Sequence, residues 1–394
     1  MKAYIVQSDK RVDPFGDYAR DCLVRNEPLS ELQKRTLLEL ELEPVRVSGS
    51  DEIDDPEPYI IINDNLYFTR ELLNEFIERS GTTGESTVCA LKAGLVTLRS
   101  VVNVQDAKPC LDDHFEYPLY FSPGGTLRKR YQYIKINPDQ DSTSIPMPEQ
   151  IYREEKYSIP ITTHFLIQID HWVNLWAANI STILADAARL KKMSKLKQLI
   201  LVLRARSLNQ SKILQRLNKI GRNCAKHRTA CIENSIIGDN VQIGAGTVVM
   251  NSVIGDNVRI GANIVIDSSI IGPQSLIMYG QIMYSVIFPG VSTSSSIIEV
   301  SLIGRGALMG GTTALTDFRF DGQNVSVMKD GKLFDTGNKF LGSCLGHGVF
   351  LGSGCIVAPG RMIPGGLRIT LEETRIIRAC HPDQDVPGFR VVKE

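Results

Sequence analysis

The sequence predicts an α/β domain followed by a left-handed parallel β-helix. Three observations carry this expectation: a repeat of 16–17 residues in the second half, glycines recurring inside that repeat, and strand–helix alternation over the first 180 residues.

The repeat is read from IIGDNVQIG at Ile236, VIGDNVRIG at Val253 and IIGPQSLIM at Ile270. A serine followed by two aliphatics recurs at Ser235, Ser252, Ser269, Ser285 and Ser301. Within a coil, Ile237 and Ile243 are six apart, as are Ile254 and Ile260, and each is followed by glycine: Gly238, Gly244, Gly255 and Gly261. An aliphatic at every sixth residue points into a narrow three-sided prism, and the small residue after it lets the chain turn where a Cβ would crowd. Three sides make a coil, and coils stack at the strand spacing of about 4.8 Å. Glycine inside the pattern and a period other than 3.6 argue against helix; a glycine-rich β-sandwich is the competing fold.

A non-repeating insertion at 313–340 interrupts the pattern, which resumes at 344–360. TLEETRIIRACHP is then expected as a short helix closing the solenoid's open end. The β-helix is placed at 231–380, with a tail at 381–394.

Residues 1–180 read as α/β. AYIVQ is strand-like, LSELQKRTLLELEL helical, PYIIIN a buried strand, and FTRELLNEFIERS a helix with Thr69 at its N-cap. In such strand–helix units, ligands bind where the strand's C-terminal end opens. Residues 181–230 form a basic helical linker, with apolar positions at Leu196, Leu199, Ile200 and Leu203 and a stop at Gly221.

The 394 residues carry 44 basic and 44 acidic side chains, but residues 181–230 hold 13 Lys/Arg and only Asp186 as an acid. That run is expected either to neutralise acidic surface within an oligomer or to meet an anionic surface through residues 190–222. No specific nucleic-acid motif is present. The eight cysteines are scattered without a CxxC pair, which argues against a disulfide framework or zinc site. No apolar run reaches the ~18 residues needed to span a bilayer, and the N-terminus lacks a signal peptide's long apolar core, so a cytoplasmic protein is expected.

RFDGQNVSV…GKLFDTGNKFLGSCLGHGVFLGSGCIVAPG resembles the insertion and final coils of the sugar-1-phosphate nucleotidyltransferases that carry a C-terminal left-handed β-helix. NEPLSELQKRTLLEL, PYIIINDNLYFT and IDHWVNLWAAN are similar to N-terminal segments of that family. The resemblance implies a Rossmann-like nucleotidyltransferase domain over 1–180. The implied reaction joins a nucleoside triphosphate to a sugar 1-phosphate and releases pyrophosphate. It places Mg²⁺ near Asp64 and Asp170, and nucleotide or sugar contacts at Asn63, Asp64 and Asn174, with Lys10 and Arg11 facing phosphate. A homo-oligomer, trimer or dimer, joined through the β-helix is also expected, because the flat faces of the prism can pack on copies of themselves and the 313–340 insertion is long enough to reach a neighbour.

The chain departs from that pattern where the chemistry is most demanding. The family's glycine-rich loop and Pro-Lys-Pro are replaced by VQSDKRVDPFGDYARDCLV, which has one glycine, Gly16, with Asp9 and Asp13 before it. Some relatives acetylate an amino sugar at the β-helix, using a His and a Tyr; SSSIIEVSLIG has neither. Two alternatives to nucleotidyl transfer therefore stand: a non-catalytic homologue that binds sugar nucleotide or scaffolds partners, and an acyltransferase acting at the β-helix with His347 as base. For Asp64 a turn-forming role competes with ligand binding, and for Asp170 a helix N-cap. Arg319, Asp321 and Lys339 are expected as loop and subunit-contact residues.

Overall fold

The computed structural model describes residues 1–111, 113–127, 131–149 and 156–372. The expected closing helix, from residue 373 on, and the 381–394 tail lie outside these residues.

Six strands form the α/β sheet: β1 (Lys2–Val6), β2 (Glu43–Val47), β3 (Tyr59–Asn63), β4 (Thr87–Lys92), β5 (His114–Ser122) and β6 (Gln132–Ile136). Their order is β6-β4-β5-β3-β1-β2, and a short strand, Lys108–Cys110, pairs with β5. Only the pairings of β5 are antiparallel. β3 is buried along almost its whole length, as its unbroken YIII run requires. Helices α1 (Leu29–Leu38) and α2 (Arg70–Gly81) follow β1 and β3. Thr69 sits at the N-cap of α2 as expected, but its hydroxyl makes no capping bond; it exchanges hydrogen bonds with the backbone of Phe165.

The linker differs from expectation. One helix, α3 (Trp172–Lys191), begins inside the α/β half, and α4 (Lys195–Ala205) follows after a break. The side chain of His171, not Asp170, caps α3. Helix α3 is buried on nearly every side, between the flanking strands and loops of the α/β domain and the β-helix, so its apolar residues show no single stripe. The β-helix already begins at Lys219–Ile220, which pairs with Ile236–Ile237, so Gly221 stops no helix.

The repeat folds as three stacks of parallel strands, of eight, eight and seven rungs. This is a hexapeptide-type β-helix, and the stacking is consistent with the left-handed form. Ile237, Ile243, Ile254 and Ile260 line the axis in one apolar cluster. The glycines serve coil-to-coil contact: a Cβ on Gly244 would lie 2.5 Å from the Gly261 carbonyl oxygen of the next coil. In the early coils several left-handed corner residues are asparagines, Asn240 and Asn257 among them, while later coils use glycines such as Gly290 and Gly306 there. The serine column adds a ladder, in which the Ser252 amide donates to the Ser235 hydroxyl at 3.1 Å and the Ser269 amide to the Ser252 hydroxyl at 3.1 Å.

The first stack faces the α/β domain. Its outward Ile270, Val286, Leu302 and Cys344 share one core with Phe165, Trp172 and Leu175. The Trp176 indole donates to the Tyr284 carbonyl at 2.7 Å. In the 313–340 segment, Ala314–Leu315 still belongs to a coil, and the chain leaves the coil only after it. Its hairpin, Ser326–Lys329 with Lys332–Asp335, packs on the α/β domain of the same chain. Arg319 and Asp321 pair with each other, and the Lys339 ammonium binds the Gly322 carbonyl. Among the described residues, seven cysteines are free thiols.

Candidate functional site

Parallel strands β1 and β3 end in register at Val6 and Asn63, and the residues just beyond them meet. The Ser8 hydroxyl donates to Asp64 at 2.6 Å and the Ser8 amide at 3.1 Å. The Arg20 guanidinium donates to the same carboxylate at 3.0 Å and to the Ser8 carbonyl at 2.8 Å. Asp64 is 3% exposed, so this ring of donors is its surroundings. The Asn63 carbonyl accepts from the Gln33 side chain at 3.1 Å.

Asp170 lies beside this site, linked through Asn65, whose amide donates to it at 3.0 Å. The Asp106 backbone amide donates at 2.8 Å. Burial, and next the Asp106 charge, raise the Asp170 carboxyl above the usual range. The Lys10 ammonium is 3.9 Å away and pairs with Asp106. From the insertion hairpin, Lys329 reaches in to Asp106 at 2.8 Å and to the Val104 carbonyl at 2.8 Å. Burial alone would raise Asp106, but Lys10 and Lys329 hold it below the usual range.

The other expected contact residues are engaged elsewhere. Arg11 donates to the Gly16 carbonyl at 2.6 Å and stacks 4.0 Å over the Tyr18 ring. Asn174 donates to the Ser100 and Val101 carbonyls from the buried face of α3. Ser8, Arg20, Asp106 and Lys329 were missed by sequence reading, since none sits in a motif and each meets its partner only through the fold.

His171 fastens the hairpin to the α/β domain. Its Nε2–H donates to the Met328 carbonyl at 3.1 Å while Nδ1 accepts from the Val173 amide at 3.5 Å. Burial pushes its pKa down from 6.5 to about 4. The folded state therefore disfavours the protonated ring, so this contribution is complete above the unfolded value and is lost as pH falls from about 6.5 toward about 4. The melting-temperature difference between the wild type and His171→Gln is expected to shrink across that window. A pH-independent difference would mean that the ring is not buried neutral.

The loop after β1 is a short hairpin, Arg11–Val12 with Asp17–Tyr18, and its tip turns onto the β-helix. Phe15 packs on Phe288 at 5.5 Å and on His347 at 4.9 Å, centroid to centroid. Asp17 accepts from Arg305 and, at 3.1 Å, from His347 Nε2. Burial alone would raise the Asp17 carboxyl, but these two hydrogen bonds more than offset it and hold it below the usual range. His347 Nδ1 accepts from the Arg305 amide at 2.8 Å. His347, the candidate base, is thus half-buried at the junction of the two halves, with both ring nitrogens engaged.

Two cavities flank α3. One, of about 380 Å³, is mostly apolar, with Phe165, Trp176 and Ile159 among its walls and two carboxylates, Glu299 and Asp317. Burial, helped by Glu299, pushes Asp317 up to about 7. The other, of about 860 Å³, sets Arg25, Arg70, Arg189 and Lys219 with Glu71 and Asp186 among apolar walls such as Ile183 and Leu190.

No family model matches the chain, and no curated protein matches it. Similar solved structures include a hexapeptide transferase family protein from Anaplasma phagocytophilum, 17% identical, covering 43% of this chain and 87% of that one, with a TM-score of 0.21. The UDP-N-acetylglucosamine acyltransferase from Campylobacter jejuni is 15% identical over 38% of this chain and 66% of its own, with a TM-score of 0.21. The acetyltransferase domain of PglB from Neisseria gonorrhoeae is 13% identical over 38% of this chain and 51% of its own, with a TM-score of 0.15. Likeness at this level carries no functional conclusion.

Among the described residues, no three His, Cys, Asp or Glu side chains are placed to hold one metal ion, and no helix is long and apolar enough to cross a membrane.

Proposed function

We propose that this chain is a non-catalytic relative of the sugar-1-phosphate nucleotidyltransferases, an assembly or regulatory protein of sugar-nucleotide metabolism. The observation that supports this most is the loop after β1. Where the resemblance calls for a triphosphate cradle, Phe15 and Asp17 strap the α/β domain to the β-helix. A loop that must close over phosphates cannot also serve as a fixed buried contact.

The donor set argues the same way for Mg²⁺. This hard cation needs carboxylate oxygens free to coordinate. The oxygens of Asp64 are taken by Ser8 and Arg20, and those of Asp170 by Asn65 and Asp106. Arg20, Lys10 and Lys329 supply positive charge where the ion would sit. These residues do not fit the metal, and no step is assigned to it. A nucleotide or sugar phosphate fits better in the larger cavity, where Arg70 and Lys219 make no salt bridge among the described residues.

Acyl transfer at the β-helix is the second reading, and the hexapeptide repeat is what favours it. It needs a free base, which His347 is not. A thermal-shift and turnover screen with nucleotides, sugar nucleotides and acetyl-CoA separates the two readings. The expected result is stabilisation by a phosphorylated ligand, weakened in Arg70→Glu, without consumption of any compound. Hydrolysis or transfer from acetyl-CoA would instead establish the second reading.

A homo-oligomer joined through the β-helix is part of the proposal. The third stack presents Val248, Val265, Ile297, Ala314 and Ile356 outward in one column, interrupted only by Gln281 between Val265 and Ile297, and Ile356 is 72% exposed. Light scattering is expected to give a dimer or trimer that Ile297→Lys with Ile356→Lys dissociates; a wild-type monomer at micromolar concentration would contradict it.

A further inference from the structure

Helix α4 carries its apolar face outward. Leu196, Leu199, Ile200 and Leu203 are 69%, 54%, 43% and 66% exposed, and Leu208 just beyond is 88% exposed. Their spacing of three and four puts the four helical positions on one stripe. Ala205 is buried on the opposite face, so the helix rests on the protein by its back. Lys197 and Arg204 lie along one flank of the stripe and Lys195 along the other. None of these cations forms a salt bridge among the described residues, nor do Arg206, Lys212 and Arg216 nearby. No acidic residue occurs from 187 to 232.

We infer that α4 is an interfacial helix that seats this protein on an anionic lipid surface. An apolar stripe between rows of cations matches such a boundary: the leucines enter the acyl region while the cations meet headgroup phosphates. Charge favours this occupant over a second copy joined face to face, because a two-fold contact about α4 would set cation rows against each other. The inference is independent of whether the α/β domain is catalytic.

The test is co-sedimentation of the full chain with vesicles of phosphatidylcholine alone and of phosphatidylcholine with phosphatidylserine. Binding is expected only to the serine-containing vesicles. It should weaken as salt shortens the Debye length from about 10 Å at 0.1 M to about 3 Å at 1 M. Each cation is expected to contribute roughly fivefold, the equivalent of about 1 kcal/mol. Lys197→Glu with Arg204→Glu should therefore lose about 25-fold or more, and Leu199→Ser with Leu203→Ser should abolish binding while the melting temperature holds. Equal partitioning onto both vesicle types, or onto neither, would overturn the inference. So would self-association that the Leu199→Ser, Leu203→Ser variant alone dissociates, since the stripe would then belong to a second copy.

Discussion

Ile254→Asp is expected to lower the melting temperature by about 10 °C or more, or to leave the chain insoluble. Ile254 is 1% exposed on the prism axis, between Ile237 of the coil before and Ile271 of the coil after. The substitution removes a filled rung and places a carboxylate among aliphatic neighbours, with no cation to pair with it. Lost burial and its cavity amount to about 2–5 kcal/mol, and a desolvated carboxylate adds several more or is forced into its neutral form. That sum approaches the whole stability of an ordinary domain, about 5–15 kcal/mol. The control is Gln242→Asp on the outward side of a neighbouring coil, where a change within about 0.5 kcal/mol is expected. Thermal unfolding followed by circular dichroism compares the two; similar melting of both variants would mean that the repeat register is wrong.

Asp64→Ala is the second large effect, and its sign separates two roles. In the structure the carboxylate joins the ends of β1 and β3 by gathering Ser8 and Arg20. Deleting it strands one cation and two donors, a loss of about 3–5 kcal/mol for a fully buried pair. Arg20 keeps a quarter of its side chain in solvent, so about 2–3 kcal/mol is the better expectation here. A carboxylate held ready for a metal behaves in the opposite sense, because its removal relieves uncompensated charge. Urea unfolding in the presence of a chelator measures the difference: destabilisation marks a structural ion pair, and unchanged or raised stability marks a vacant ligand position.

The β-helix was legible because its chemistry is local and repeated. Aliphatics six apart and the glycines after them fix the rungs, and Ile237, Ile243, Ile254 and Ile260 all line the axis. Its first coil was hidden, since Gly221 follows Ile220 in register with Gly238 but reads as a helix stop, and the next rung, Ala225–Lys226, has neither the aliphatic nor the glycine of Ile243–Gly244. Helix α3 escaped because burial on several sides erases a single stripe, and periodicity identified α4 without saying which medium its stripe would face. The candidate site was least legible. Asp64 and Asp170 were singled out by resemblance alone, and what surrounds them comes from afar: Arg20 from the loop after β1, and Lys329 from more than 200 residues downstream of Asp106. Phe15 offered no signal, since one aromatic in a loop becomes a strap only when a second domain presents Phe288 and His347 to it.

If the loop after β1 is a strap and not a phosphate cradle, the protein transfers no nucleotidyl group. The most direct measurement is pyrophosphate release by the full-length protein, incubated with nucleoside triphosphates, sugar 1-phosphates and Mg²⁺. No release above the protein-free control is expected, in the wild type or in Phe15→Ala. Robust Mg²⁺-dependent release by the wild type, lost in Asp64→Asn, would contradict the account and return the chain to nucleotidyl transfer.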